Sequence, residues 1–116
     1  MVLPVRLGLI GAGKWGKNYI KAIKNLKNID LVHIGSKSLK IEDVNLENCL
    51  ISRDWQRVLD SKNIDGIIIA TNPATHAEIA KTSIKAGFPT IITNKINDKI
   101  NSFGDTIAER RKNIPD

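Results

Sequence analysis

Val5-Arg6-Leu7-Gly8-Leu9-Ile10 runs directly into Gly11-Ala12-Gly13-Lys14-Trp15-Gly16, and the junction decides the fold. The apolar run reads as a first strand, and a complete G-x-G-x-x-G follows where that strand ends and a helix begins. Each glycine has its own reason in such a turn. Gly11 permits the tight reversal, Gly13 lets the backbone approach a pyrophosphate, and Gly16 lets the helix pack closely on the sheet. Ala12, Lys14 and Trp15 complete the loop. A diphosphate would sit at the helix N-terminus, where unpaired N–H groups and the positive dipole end favour an anion. A glycine-rich turn can also serve chain reversal alone, so the reading rests on the strand-to-helix context.

Outward from this junction the pattern alternates. The first helix carries Trp15, Tyr19, Ile23 and Leu26 on one face and Lys14, Lys17, Lys21, Lys24 and Lys27 on the other. Asp30 to Gly35 reads as a second strand, and Cys49-Leu50-Ile51 as a short third. Ser52 or Asp54 is placed to cap a helix containing Trp55, Val58 and Leu59. Asp65-Gly66-Ile67-Ile68-Ile69-Ala70 is the nearly continuous apolar run of a strand covered on both faces. Thr71-Asn72-Pro73-Ala74 breaks it. Thr75 with Glu78 then predicts a capping box, Gly87 a helix stop, Pro89 to Thr93 a fifth strand, and residues 102–112 a last amphipathic helix. The expected fold is α/β, a Rossmann-type doubly wound parallel sheet ordered 3-2-1-4-5. A single domain covering residues 1–116 is expected, without repeats or a low-complexity linker.

Composition narrows the function classes. With 41% hydrophobic and 26% charged residues the chain suits a globular core. No apolar run approaches a membrane span and the start lacks the layout of a signal peptide, so no membrane role and a cytoplasmic location are expected. Cys49, the single cysteine, has no disulfide partner in the chain and reads as a small buried hydrophobe. A net charge of +6 raises nucleic-acid binding, but aromatics make up only 4% and no basic cluster is interleaved with them. The lysine stripe reads instead as a solvated helix face, and no nucleic-acid partner is expected. Lys14 and Lys17 begin that stripe beside the phosphate loop and can help attract an anion.

A second signal concerns the choice of dinucleotide. An acid about 20 residues past the fingerprint would bind the ribose hydroxyls of NAD. Counting from Gly16 reaches Gly35-Ser36-Lys37-Ser38, which holds no carboxylate. A hydroxyl and a cation suit a 2′-phosphate, so Ser36 and Lys37 predict NADP in preference to NAD. A plain surface turn is the alternative for these two residues.

With those residues placed, the chain resembles the nucleotide-binding domain of the glucose–fructose oxidoreductase and inositol dehydrogenase (Gfo/Idh/MocA) family. The resemblance rests on Arg6-Leu7-Gly8-Leu9-Ile10-Gly11-Ala12-Gly13 with Trp15-Gly16, on Asp65 to Pro73, on Thr75-His76-Ala77-Glu78-Ile79-Ala80, and on Ala86-Gly87. It implies an oxidoreductase that moves hydride between a nicotinamide cofactor and a sugar or cyclitol. It also implies that Thr71, Asn72, Pro73 and His76 lie near the nicotinamide half. His76 can alternatively be a helix-start residue making a local polar contact. The family's Glu-Lys-Pro motif is matched by Asn94-Lys95-Ile96, which keeps Lys95 as the catalytic candidate and loses its acidic and proline neighbours. The family's second, substrate-binding domain has no counterpart in these residues, so the chain is expected not to turn over substrate alone. Its expected partners are the dinucleotide and either a second copy of itself or a separate substrate-domain chain. The other reading is a non-catalytic dinucleotide sensor or interaction protein.

Overall fold

The computed structural model describes residues 4–11, 16–26, 28–37, 49–71, 73–92 and 98–112. Along them run β1 (Val5–Gly11), α1 (Gly16–Lys24), β2 (Ile29–Gly35), β3 (Leu50–Ser52), α2 (Gln56–Leu59), β4 (Gly66–Ala70), α3 (Pro73–Lys85), β5 (Thr90–Ile92) and α4 (Asp98–Lys112). The strands form one sheet in the order β3-β2-β1-β4-β5, with every neighbouring pair parallel. The expected doubly wound topology is thereby found.

The central strands are largely apolar on both sides, and both faces of the sheet are covered. On one face Val5, Leu7 and Leu9 of β1 pack with Ile20 and Ile23 of α1 and Ile100 and Ile107 of α4. On the other, Ile10, Ile67 and Ile69 pack with Val58 of α2, with Ile64 between α2 and β4, and with Ile79 of α3. Each such aliphatic side chain, fully buried, contributes roughly 1.5–3 kcal/mol. The two layers fix the strand ends that carry the site.

One irregularity decides where a histidine goes. The β1–β2 register passes from Leu7↔Leu31 to Gly8↔His33, leaving Val32 as an extra residue in β2. Strict alternation would keep His33 on the face of Ile29 and Leu31. The bulge turns it to the α2 face instead, and Ile34 takes the next place in the first core.

Several local expectations change. α2 begins at Gln56, after Trp55. The N–H of Gln56 donates to Asp54 Oδ1 at 3.0 Å, so Asp54 closes this turn while Ser52 belongs to β3. α3 begins at Pro73, which puts Thr75 inside its first turn rather than at a cap. The Thr75 hydroxyl donates to Thr71 Oγ1 at 2.9 Å, and the expected capping box is replaced by this contact. α4 starts at Asp98, four residues earlier than the apolar pattern suggested, because Ile100 is fully buried against the sheet. Gly87 ends α3 with φ 91°, as expected.

Candidate functional site at the carboxyl edge of the sheet

From β1 the chain winds outward through β2 and β3, then returns to place β4 on the other side of β1. In a sheet wound this way the strand order reverses between β1 and β4, which leaves a crevice at their carboxyl ends. Gly11 closes β1 there, paired with Ala70 at the end of β4. Its φ of 104° lies in the region that L side chains rarely adopt. A Cβ at this position would also stand 2.7 Å from the Ala70 carbonyl carbon and from Thr71 N and Cγ2. The turn therefore demands glycine twice over, by conformation and by the approach of the β4 backbone. α1 starts at Gly16, five residues after Gly11 in the sequence.

The β4–α3 connection is held by its own polar groups. His76 Nε2 lies 2.5 Å from the Thr71 carbonyl oxygen. A carbonyl only accepts, so Nε2 carries the proton. With Thr75 on Thr71 Oγ1, both the main chain and the side chain of Thr71 are engaged from the first turn of α3. His76 thus makes the local contact that was one of its two sequence readings, while its half-buried ring stays beside the crevice.

At the other end, β2 finishes at Gly35 and β3 at Ser52, a paired couple. The Ser36 N–H donates to the Ser52 carbonyl at 2.9 Å, carrying the ladder one step past the strands. Ser36 is only 6% exposed, whereas Lys37 is exposed. Gly35 allows a close approach here: a Cβ on it would meet the Trp55 Cα at 3.0 Å and Val58 Cγ2 at 2.8 Å.

His33 supports this end, and the sequence reading missed it. It is 5% exposed, with Nδ1 2.6 Å from Ser61 Oγ and Nε2 2.7 Å from Ser52 Oγ. Burial lowers its pKa below the usual 6.5. One imidazole therefore ties β2 to β3 and to the segment after α2. A lone polar residue in an apolar strand was the signal available; the bulge that aims it was not readable.

Of the other expected site residues, Pro73 is the first residue of α3. Ala12, Gly13, Lys14, Trp15, Asn72 and Lys95 lie outside the described residues. Cys49 is partly buried, and burial pushes its thiol up to about 11. Its thiolate is accordingly scarce at neutral pH. Among the described residues no group of three or more His, Cys, Asp or Glu side chains can hold a metal. No helix among them is long and apolar enough to cross a membrane.

A parallel 3-2-1-4-5 sheet with a glycine-demanding end to β1, followed in the sequence by helix α1, defines a nucleotide-binding α/β domain of Rossmann type. Residues 5–95 match the oxidoreductase family with an NAD-binding Rossmann fold, Gfo/Idh/MocA, and the chain belongs to that family. Inositol 2-dehydrogenase 4 of Saccharopolyspora erythraea is 26% identical over 91 residues, which are 75% of this chain and 27% of that protein. The chain thus spans about a quarter of the length of this curated relative. A crystal structure of a candidate oxidoreductase from Magnetospirillum magnetotacticum MS-1 superposes with a TM-score of 0.68 and 36% identity, over 94% of this chain and 35% of that one. A biliverdin reductase from Synechocystis sp. PCC 6803, solved with biliverdin and NADP+, shares the fold at TM-score 0.64 and 18% identity, over 94% of this chain and 36% of that one.

Proposed function

We propose that these residues form the NADP(H)-binding part of a sugar or cyclitol oxidoreductase, with the dinucleotide lying along the carboxyl edge from β2 to β4. The observation that carries the reading is Gly11: a backbone conformation that favours glycine, pressed against Ala70 and Thr71 at the end of β1. In this role residues Gly11 to Gly16 hold the diphosphate by backbone N–H groups at the positive end of α1. Thr71, Asn72 and Pro73, steadied by His76, border the nicotinamide half. Lys37, beside Ser36, meets the adenosine 2′-phosphate. The family membership supports the redox class, and the inositol dehydrogenase relative supports the polyol class of substrate.

When bound, the cofactor supplies the hydride donor or acceptor. The chain's own contribution is to orient it and to hold a proton near the reacting oxygen, a role for which Lys95 is the candidate. Catalysis also needs a substrate held in place, and these residues span only about a quarter of the inositol dehydrogenase relative. The 116 residues alone are expected to bind the dinucleotide without oxidising a cyclitol.

Calorimetric titration with NADPH and NADH tests the reading. The expected result is saturable one-to-one binding with NADPH at least tenfold tighter, about 1.4 kcal/mol. Absence of binding by both would overturn it.

A further inference from the structure

We propose that Arg53 is a specificity-determining residue of the cofactor site, a second cation that closes on the 2′-phosphate from the β3 side, opposite Lys37. The inference rests on the NADP(H) reading above and names a residue that reading does not use.

The placement follows from the ladder. Gly35 pairs with Ser52, and the Ser36 N–H donates to the Ser52 carbonyl. Continued one step past the strands, this register sets Arg53 level with Ser36, and Lys37 follows Ser36; Lys37 and Arg53 are both exposed. Adjacent strands lie roughly 5 Å apart, so the backbone at Arg53 is about one strand spacing from that at Ser36, with Lys37 one residue further along, at the end where the adenosine ribose would arrive. Among the described residues Arg53 is in no ion pair; the salt bridge found there is Arg6–Asp65, which involves the amino end of β1. The carboxylate next in sequence, Asp54, is turned back to the start of α2 by the Gln56 N–H. Arg57, also exposed, is four residues further along the chain, within α2.

Two further features make this a held position. Ser52, which precedes Arg53, is fixed through its hydroxyl to His33 Nε2 and through its carbonyl to Ser36. Gly35 lets Trp55 pack down on β2, which draws the segment after Arg53 against the strand end. An arginine suits the task because its planar fork matches phosphate oxygens with two parallel hydrogen bonds, whereas a lysine offers a point charge. Ser36 is nearly buried, whereas Lys37 and Arg53 are exposed.

The test uses the 116-residue chain and its variants Arg53→Ala, Arg53→Gln, Arg53→Lys, Lys37→Ala and Arg57→Ala, titrated with NADPH and with NADH. Thermal melting of each variant verifies folding, and the Gln variant keeps the test open if Ala disturbs the strand end. Arg53→Ala and Arg53→Gln should weaken NADPH roughly tenfold or more and leave NADH within about twofold. Arg53→Lys should recover part of the loss, and Arg57→Ala should change neither. The wild-type preference for NADPH should rise between about pH 5 and pH 7, as the 2′-phosphate loses its second proton near 6, and Arg53→Ala should flatten that rise. Equal losses for both dinucleotides would overturn the assignment. So would an Arg53→Ala chain that keeps its NADPH affinity while Lys37→Ala loses it, a result that leaves the NADP(H) reading standing. A wild-type chain with no preference for NADPH would remove that reading and Arg53's role together.

Discussion

At the β1–β4 crevice the chain meets itself through backbone: the Cα of Gly11 lies against the main chain of Ala70 and Thr71, and His76 grips the Thr71 carbonyl. At the β2–β3 end the strands are held by side chains instead, with His33 bridging Ser52 and Ser61 while Lys37 and Arg53 stand exposed beyond them. The contrast matches what each end is proposed to recognise. A diphosphate is common to every dinucleotide, and backbone N–H groups bind it whatever the neighbouring side chains are. The ribose substituent is what differs between dinucleotides, and exposed cationic side chains favour a phosphate there over a hydroxyl. Changes at the first end should act on both dinucleotides alike; single residues at the second should retune the choice between them.

The sharpest way to break the comparison is Gly11→Ala. The added Cβ meets backbone atoms at 2.7 Å and the φ of 104° becomes strained, so a stability loss of about 2–4 kcal/mol is expected by chemical denaturation. Binding of NADPH and NADH should fall together. A selective loss of one would mean that the backbone end also discriminates.

His33→Ala should come next. It removes two hydrogen bonds, strands the Ser52 and Ser61 hydroxyls and leaves a cavity, for about 2–3 kcal/mol. At a temperature where it stays folded, its affinity for NADPH should suffer more than that for NADH. The same residue predicts a pH effect. Its pKa is lowered by burial in the folded chain, so the unfolded chain binds the extra proton first as pH falls. The stabilisation is complete above about pH 6.5, the unfolded value, and is lost as pH falls from there toward the lowered folded value. Denaturation midpoints between pH 7.5 and 5 should show this component in the wild type and lack it in His33→Ala.

His76→Ala sharpens the other end. It deletes one hydrogen bond worth about 1 kcal/mol, and it should weaken both dinucleotides by a similar, several-fold factor. The smallest effect concerns Cys49. With its thiol near 11 it should react slowly with iodoacetamide at pH 7.5 and rapidly once the chain is unfolded.

Much of the architecture was legible because it follows from local signals. Apolar runs gave the strands, the glycine fingerprint gave the β1–α1 junction, and parallel connectivity restricted the order to 3-2-1-4-5. What escaped depends on contacts between distant segments. The extra residue at Val32 is invisible in an apolar run, yet it alone turns His33 toward Ser52 and Ser61. Thr75 carried a sound capping pattern, but Pro73 starts α3 earlier and Thr71 takes the Thr75 hydroxyl. Arg53 carries no motif; its significance comes from the β2–β3 register, which brings it level with the residues after Gly35. At the candidate site, Gly11 and the Ser36-Lys37 segment could be found by spacing from the fingerprint, while the groups that brace them could not.

The most direct test is to follow the backbone amide resonances of the 15N-labelled chain as NADP+ and NAD+ are added in turn. The account predicts that Gly11, Gly16 and Thr71 shift with both, that Ser36, Lys37 and Arg53 shift strongly only with NADP+, and that Ile100 and Ile107 of α4 stay still. Shifts of equal size at the β2–β3 end with both dinucleotides, or shifts centred away from the carboxyl edge, would contradict it.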